Sequence, residues 1–475
     1  MKNKVTEEMQ KRIVSGPILR TLFMLSWPIM ATHFFQIAYN LIDTYWLGRL
    51  SVEAVAAPTL AWPMVFLLIS VAGGLSVAGV ALVSQYVGAN DEREVKKSAG
   101  QVITLLTIVG VIVSMLGILA SDSILQFIGA EQVVQDLASP YIKIIFASMP
   151  WMFVIMSYSF ILRGWGDTRT PMYISALSVG LNIILDPVMI FGVQGLIPSM
   201  GVTGAAVATF ISRTVGGVLA LYLLFNAKKT LSISRSDLKV DKEKAKQIFK
   251  IGIPASIGQA LVSFGFLVMV GFVAKAGADA MMGKEIIAAY GIGTRIINII
   301  FVIIGGLTGA AITMIGQNLG AGKPDRAVKT LHMTILSAML ILFVCTLTFF
   351  VFRAEIYGVF IDDPVVIAEG GTYLMIFGLS TMFFGVYASS LSAFHGAGQT
   401  IPTMILGFVR LWLMRIPFSF LLAFQFGYGI EGLWWGMALS NVTSAAAALA
   451  WVSLGRWKKA VIDKPPKVGD VEGML

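Results

Sequence analysis

Apolar residues in this chain come in long runs separated by short polar stretches. A hydrocarbon core about 30 Å thick needs roughly 20 helical residues to cross it. Hydropathy read over windows of that size predicts twelve helices, at 19–48, 54–86, 98–120, 137–163, 171–192, 201–225, 246–274, 286–318, 327–352, 368–394, 401–424 and 430–455. The polar start MKNKVTEEMQKR runs directly into the first of them, so no cleavable leader is expected.

Composition agrees with that pattern. Of 475 residues, 57% are hydrophobic and 13% charged, about half the charge share of a soluble domain. That balance excludes a cytosolic enzyme, a disordered chain and a disulfide scaffold. The single Cys345 forms no internal bridge. Lys and Arg collect in alternate loops: Lys2, Lys4, Lys11, Arg12 and Arg20 before span one, Arg93, Lys96 and Lys97 after span two, and eight basic residues from Lys228 to Lys250 between spans six and seven. Lys323, Arg326 and Lys329 follow span eight, and Arg456, Lys458 and Lys459 follow span twelve. This bias places both termini in the cytoplasm and the chain in the cell membrane. The net charge of +9 is accounted for by topology. Basic residues spread over separate loops do not form a nucleic-acid surface, so no nucleic-acid partner is expected.

The second half of the chain repeats the first. SQYVGANDEREVKK after span two answers GQNLGAGKPDRAVK after span eight, with Gln85, Gly88 and Ala89 matching Gln317, Gly320 and Ala321 at an offset of 232. LRGWGDTRTPM answers AFHGAGQTIPTM, where Gly164 and Gly166 match Gly396 and Gly398 at the same offset. GVTGAAVATFIS answers GIEGLWWGMALS, and Pro28 answers Pro254. The expected fold is therefore all-α, with twelve transmembrane helices in two pseudo-symmetric six-helix bundles. The expected limits are 1–226 for the N-terminal bundle, 227–244 for a cytoplasmic linker, 245–456 for the C-terminal bundle and 457–475 for a tail. A cleft between or within such halves is the expected substrate route, and tandem bundles point to alternating access more than to a channel.

Ionisable groups at membrane depth are costly and mark function by default. Span one carries Gln36, Tyr39, Asn40 and Asp43 at i, i+3, i+4 and i+7, on one helical face. His33 precedes them by one turn and is expected to be a satisfied bundle residue. Span five carries Ser178, Asn182 and Asp186 at four-residue intervals. Asp43 stands six residues before Arg49 and Asp186 six before Gly192, which puts both about 9 Å below the outer end of their helices. Two acids at one level can share a site, and a low-dielectric pair resists carrying two charges. Such a pair suits a proton-coupled carrier, while its oxygens, with Thr209 on span six, suit a hard cation such as Na⁺. Read without a family, an acid near a helix end can instead reach interfacial water. The Asn, Gln and Tyr can equally serve helix–helix bonding. Arg213, Arg295, Arg410 and Arg415 are also intramembrane and are expected to be paired or to line a water-filled cavity, with a counter-ion role as the alternative. By the local offset, Asp43 maps to Met269 and Asp186 to Ile416 or Pro417, so the acid pair belongs to the first half alone.

With NLID (Asp43), LRGWGDT, LNIILDP (Asp186) and GVTGAAVAT ending at Thr209, the chain resembles the multidrug and toxic compound extrusion family over about residues 15–455. It is most similar to the prokaryotic branch named for a DNA-damage-inducible member. That resemblance implies a proton or sodium site in the N-terminal bundle at Asp43, Asp186, Tyr39, Asn182 and Thr209, with Asn40 beside them. For sodium, the ligands would be Asp43, Asp186, Asn182 and Thr209. Tyr141 resembles a family tyrosine facing the cavity, to which Gln36 and Ser178 are also assigned. A second branch uses C-terminal acids, but the matching places here, near Val262 and Phe384, are apolar. Span four reads MSYSFILRG, without the Asn of some relatives. The implied activity is export of bulky, often cationic drugs in exchange for H⁺ or Na⁺, with no cofactor, by a monomer in the lipid bilayer. The alternative is a lipid-linked oligosaccharide flippase of the same superfamily, which the intramembrane arginines favour and the acid pair disfavours. An enzyme is not expected: HExxH and GxSxG are absent, and His33, His332 and His395 lie on separate spans.

Overall fold

The computed structural model describes residues 4–128, 132–226 and 231–462. A short helix, α1 (Lys4–Ser15), precedes α2 (Ile18–Gly48), α3 (Val52–Gly88), α4 (Glu92–Ile128), α5 (Gln132–Ala147), α6 (Met149–Trp165), α7 (Arg169–Phe191) and α8 (Gly201–Asn226). The second half holds α9 (Lys242–Asp279), α10 (Gly283–Gly320), α11 (Pro324–Val351), a short α12 (Arg353–Gly358), α13 (Pro364–Tyr373), α14 (Leu379–Gly396), α15 (Thr400–Phe408), α16 (Ile416–Phe420) and α17 (Gly429–Ser453). Among the described residues ten helical rods are long and apolar enough to cross a membrane, and the α5–α6 pair makes an eleventh. The twelfth is α17, whose buried Ser440, Asn441 and Ser444 dilute its hydropathy. In lipid every backbone N–H and C=O must be paired within the protein, and helices achieve this locally.

The rods outrun the apolar windows. The third was expected at 98–120 and runs over Glu92–Ile128. Hydropathy registers the lipid-facing segment, whereas the hydrogen-bond ladder continues into the polar boundary. The fourth, expected as one span, is broken at Ser148 and bent by 42°. Pro150, in the first turn of α6, has no N–H for the preceding turn, which stops α5 there. Two other rods contain π-helical turns, Leu374–Gly378 in one and Val409–Arg415 and Leu421–Gln425 in the other.

The chain divides into two compact units, and the division differs from the limits expected from sequence. One unit takes Met1–Arg12 and Trp27–Ser256, the other Ile13–Ser26 and Ile257–Leu475. Of the three crossings, one falls within α1, and the other two fall inside a helix beside a repeat-related proline, Pro28 in α2 and Pro254 in α9. The expected linker is part of the first unit because α4 clasps it. Gln101 donates to the carbonyls of Asp237 and Lys239 at 3.0 and 2.5 Å and accepts from the Asp241 N–H at 2.8 Å. The Lys97 ammonium, 2.6 Å from Asp241, holds that carboxyl below its usual range. Lys244 of α9 meets Glu94 and the Tyr86 hydroxyl, each at 2.6 Å. In the second unit, Arg326 donates to the Ile13 carbonyl at 3.2 Å and to the carbonyl of Gly16. Residues 227–230 of the linker and 463–475 of the tail lie outside the described residues.

The repeat is visible as geometry. The Ala89 N–H bonds the Gln85 carbonyl and the Ala321 N–H bonds that of Gln317. A Cβ at Gly164 would stand 3.0 Å from the Val80 carbonyl oxygen, and one at Gly396 2.9 Å from that of Ile312, the same backbone approach 232 residues on.

Helices α7 and α8 pack closely at Gly204, where a Cβ would sit 2.3 Å from the Met189 carbonyl oxygen. Overpacking there costs about 1–3 kcal/mol. Gly204→Val is expected to lower the thermal unfolding midpoint in detergent. Gly180→Ala on α7, where a Cβ meets nothing within 4 Å, is expected not to lower it.

Candidate cation site

The two acids stand at one level. Asp43 is five residues before the end of α2 and Asp186 five before the end of α7, about 7.5 Å at ~1.5 Å per residue. Both are buried, Asp43 at 9% exposure and Asp186 at 0%. They lie within electrostatic range of each other, and Tyr39 and Tyr141 lie within range of both. The close α7–α8 packing also brings Thr209 in: its hydroxyl is 2.7 Å from that of Tyr39. Asn182, one turn before Asp186, donates its amide to Asp186 Oδ1 at 3.0 Å. Pro187 withdraws one backbone donor from the same stretch of α7.

The bonds leave acceptors over. Asp43 Oδ1, Asp186 Oδ2 and Asn182 Oδ1 are buried and take no hydrogen bond. Unsatisfied buried oxygens are expensive, and those on ionised groups more so. One turn beyond each acid, Leu47 and Ile190 enter an apolar cluster with Ile142, Ile145, Phe146 and Met149. That cluster walls the carboxyls on the side of the helix ends and lowers the dielectric around them.

Arg213 was expected to be a paired or cavity-lining arginine, with a counter-ion role as the alternative. The structure places it within electrostatic range of Asp43, Tyr39 and Tyr141. Its guanidinium donates at 2.8 Å to the hydroxyl of Ser148, the residue at the α5–α6 break. The available signal was its spacing, one turn after Thr209 on α8. With both acids ionised and Arg213 charged, the cluster carries one net negative charge.

The assigned residues do not all converge. Tyr141 is buried within the apolar cluster, in electrostatic range of both acids. Gln36 is exposed on α2, about two turns from Asp43, and Asn40 is half-buried with no bond to either acid among the described residues. Ser178 donates at 2.9 Å to the Ser212 carbonyl, which ties α7 to α8 two turns before Asp186. In the second unit Met269, the counterpart of Asp43, is fully buried.

A family model, MatE, matches residues 28–188 and again 254–421. The chain belongs to the MatE family. The two matched blocks open on Pro28 and Pro254, so the internal repeat is the family's own. Similar proteins include the "Probable multidrug resistance protein NorM" of Thermotoga maritima, 28% identical over 449 residues and covering 94% of each chain. The "Probable multidrug resistance protein YoeA" of Bacillus subtilis is 30% identical over 451 residues, covering 94% of this chain and 96% of its own. A crystal structure of MATE in the straight conformation is 25% identical with a TM-score of 0.87, covering 96% of this chain and 98% of that one. This MatE protein is thus a membrane-embedded transporter and not an enzyme, and its relatives do not favour the flippase reading.

A bond between two hydroxyls is worth about 0.5–1.5 kcal/mol. Tyr39→Phe and Thr209→Val in this MatE transporter are each expected to destabilise it by that amount. The double variant is expected to be little worse than either, a coupling that a thermal-unfolding double-mutant cycle measures.

Proposed function

We propose that the chain is a secondary active efflux antiporter that exports bulky, often cationic small molecules in exchange for H⁺ or Na⁺. The coupling cation binds in the first unit at Asp43 and Asp186, with Asn182, Tyr39 and Thr209 as neighbours. The observation that carries this reading is the set of three buried acceptor oxygens without donors, two of them on carboxyl groups in mutual electrostatic range. A proton on either acid, or a hard cation between them, supplies the missing partner and cancels the net negative charge left beside Arg213.

Coupling then follows from charge. While the pair is ionised, its burial under the apolar cluster is costly, and the cost falls once a cation arrives. A conformation that buries the pair is therefore favoured by cation binding, and one that wets it is favoured by release. A cation that binds the two conformations with different affinity drives alternation between them. Both termini lie in the cytoplasm, as the Lys and Arg bias indicates, and the transporter works as a monomer.

The test is dye efflux from vesicles under pH and sodium gradients imposed separately. Asp43→Asn and Asp186→Asn are each expected to reduce gradient-driven efflux about tenfold or more, and the gradient that drives the parent identifies the ion. Intact efflux in both variants would overturn the coupling site. Efflux that requires ATP in place of a gradient would overturn the antiport class.

A further inference from the structure

The second unit buries two positive charges that no carboxylate among the described residues pairs. Arg410 is 5% exposed and Arg415 0%. They are five residues apart, a spacing that an α-helix sends to different faces. The π-helical turn Val409–Arg415 bonds i to i+5 and so stacks them on one face. The two guanidinium groups lie within electrostatic range of each other. No described salt bridge involves either.

Their partners are neutral. Arg415 donates from Nε to Ser440 Oγ at 2.9 Å and from one terminal nitrogen to Asn441 Oδ1 at 2.7 Å. Arg410 reaches the same Asn441 oxygen at 3.5 Å and also bonds the Tyr387 hydroxyl. Asn441 is held in place by its own bond to Ser380 Oγ at 2.8 Å. Ten N–H donors thus meet four acceptor contacts, and Arg410 Nε is buried with no acceptor at all. Aromatic rings cover the flat faces. Phe384 and Tyr387 lie 4.5 and 5.0 Å from the Arg410 guanidinium, and Phe377 and Phe266 lie 5.4 and 5.8 Å from that of Arg415. Such rings stabilise a cation but accept few of its N–H bonds.

Buried charges are ordinarily paired, and intramembrane ones mark a substrate path or a counter-ion. A guanidinium fork matches an oxyanion in shape as well as charge. We propose that Arg410 and Arg415 form a recognition site for an oxyanion, a carboxylate or phosphate group, borne by an aromatic or lipid-like molecule. Arg410, with its orphaned Nε and its residual exposure, makes first contact, while Arg415, Ser440 and Asn441 form the rigid floor. The ring walls select an apolar body behind the anionic head. The transporter's cargo would then include acidic or zwitterionic compounds as well as cations. This site is separate from the cation pair of the first unit and does not depend on the coupling proposed there.

Equilibrium binding tests it without any gradient. Calorimetric titration of the purified protein in phosphatidylcholine nanodiscs compares naphthoate with the neutral naphthamide. The parent is expected to prefer the acid by about tenfold or more. Arg410→Gln is expected to abolish that preference, and Arg410→Lys to retain part of it. Arg410 holds Asn441 at 3.5 Å where Arg415 holds it at 2.7 Å, so Arg410 is the safer position to alter, and unchanged thermal unfolding of both variants confirms their fold. A phosphatidylglycerol-containing disc adds a second arm. If that lipid displaces naphthoate from the parent, the natural oxyanion is a headgroup; if it does not, the anion is a soluble compound, and the proposed chemistry holds in either case. Equal binding of acid and amide, no binding of either, or an acid preference that survives Arg410→Gln overturns the proposal.

Discussion

The bilayer interior does not solvate charge, and it does not hydrogen-bond a bare backbone group. The first restriction governs the functional residues and the second governs the fold. Helices answer the second along nearly the whole chain. The first is met unevenly: the first unit buries two carboxyls beside one arginine, and the second buries two arginines that pair with no carboxylate among the described residues. Each cluster is therefore left with one sign of charge in excess. In a protein that moves small molecules, these excesses are what the proposed coupling cation and the proposed oxyanion would neutralise.

Backbone irregularities place these groups. The α5–α6 break leaves Ser148 outside both helices, where its hydroxyl accepts from Arg213. The π turn at Val409–Arg415 brings Arg410 and Arg415 into register, and both reach one amide oxygen of α17. Prolines mark the same logic on a larger scale. Pro28 and Pro254 sit where α2 and α9 pass from one compact unit to the other, and Pro187 thins the hydrogen-bond ladder beside Asp186. A regular α-helix would present its polar residues at fixed angles. Breaks and π turns allow side chains at unfavourable spacings to share a face.

Duplication supplies the scaffold and divergence the chemistry. The close approaches of Gly164 to Val80 and of Gly396 to Ile312 are nearly equal, because both helix pairs require backbone contact at that point. The functional positions have no such constraint. Met269 fills the place of Asp43 with a buried thioether, while Arg410 and Arg415 have no matching pair among the residues around the acids.

The order of polar and apolar residues alone determined the membrane class, the twelve rods, the repeat and the candidate acids, because lipid penalises every misplaced charge and each rod must cross the same thickness. The spacing of Asp43 and Asp186 from their helix ends also fixed their common depth, since rise per residue is constant. Tertiary packing alone decided which faces meet. It set Thr209 against Tyr39, drew Arg213 toward Asp43, left Gln36 exposed and buried Tyr141 in an apolar wall. It also assigned the linker and the leading segments of α2 and α9 to their units through contacts such as Gln101 with Asp237, which join residues more than a hundred positions apart. Helical periodicity specifies a direction around one axis. Which neighbour lies in that direction depends on how the helices pack.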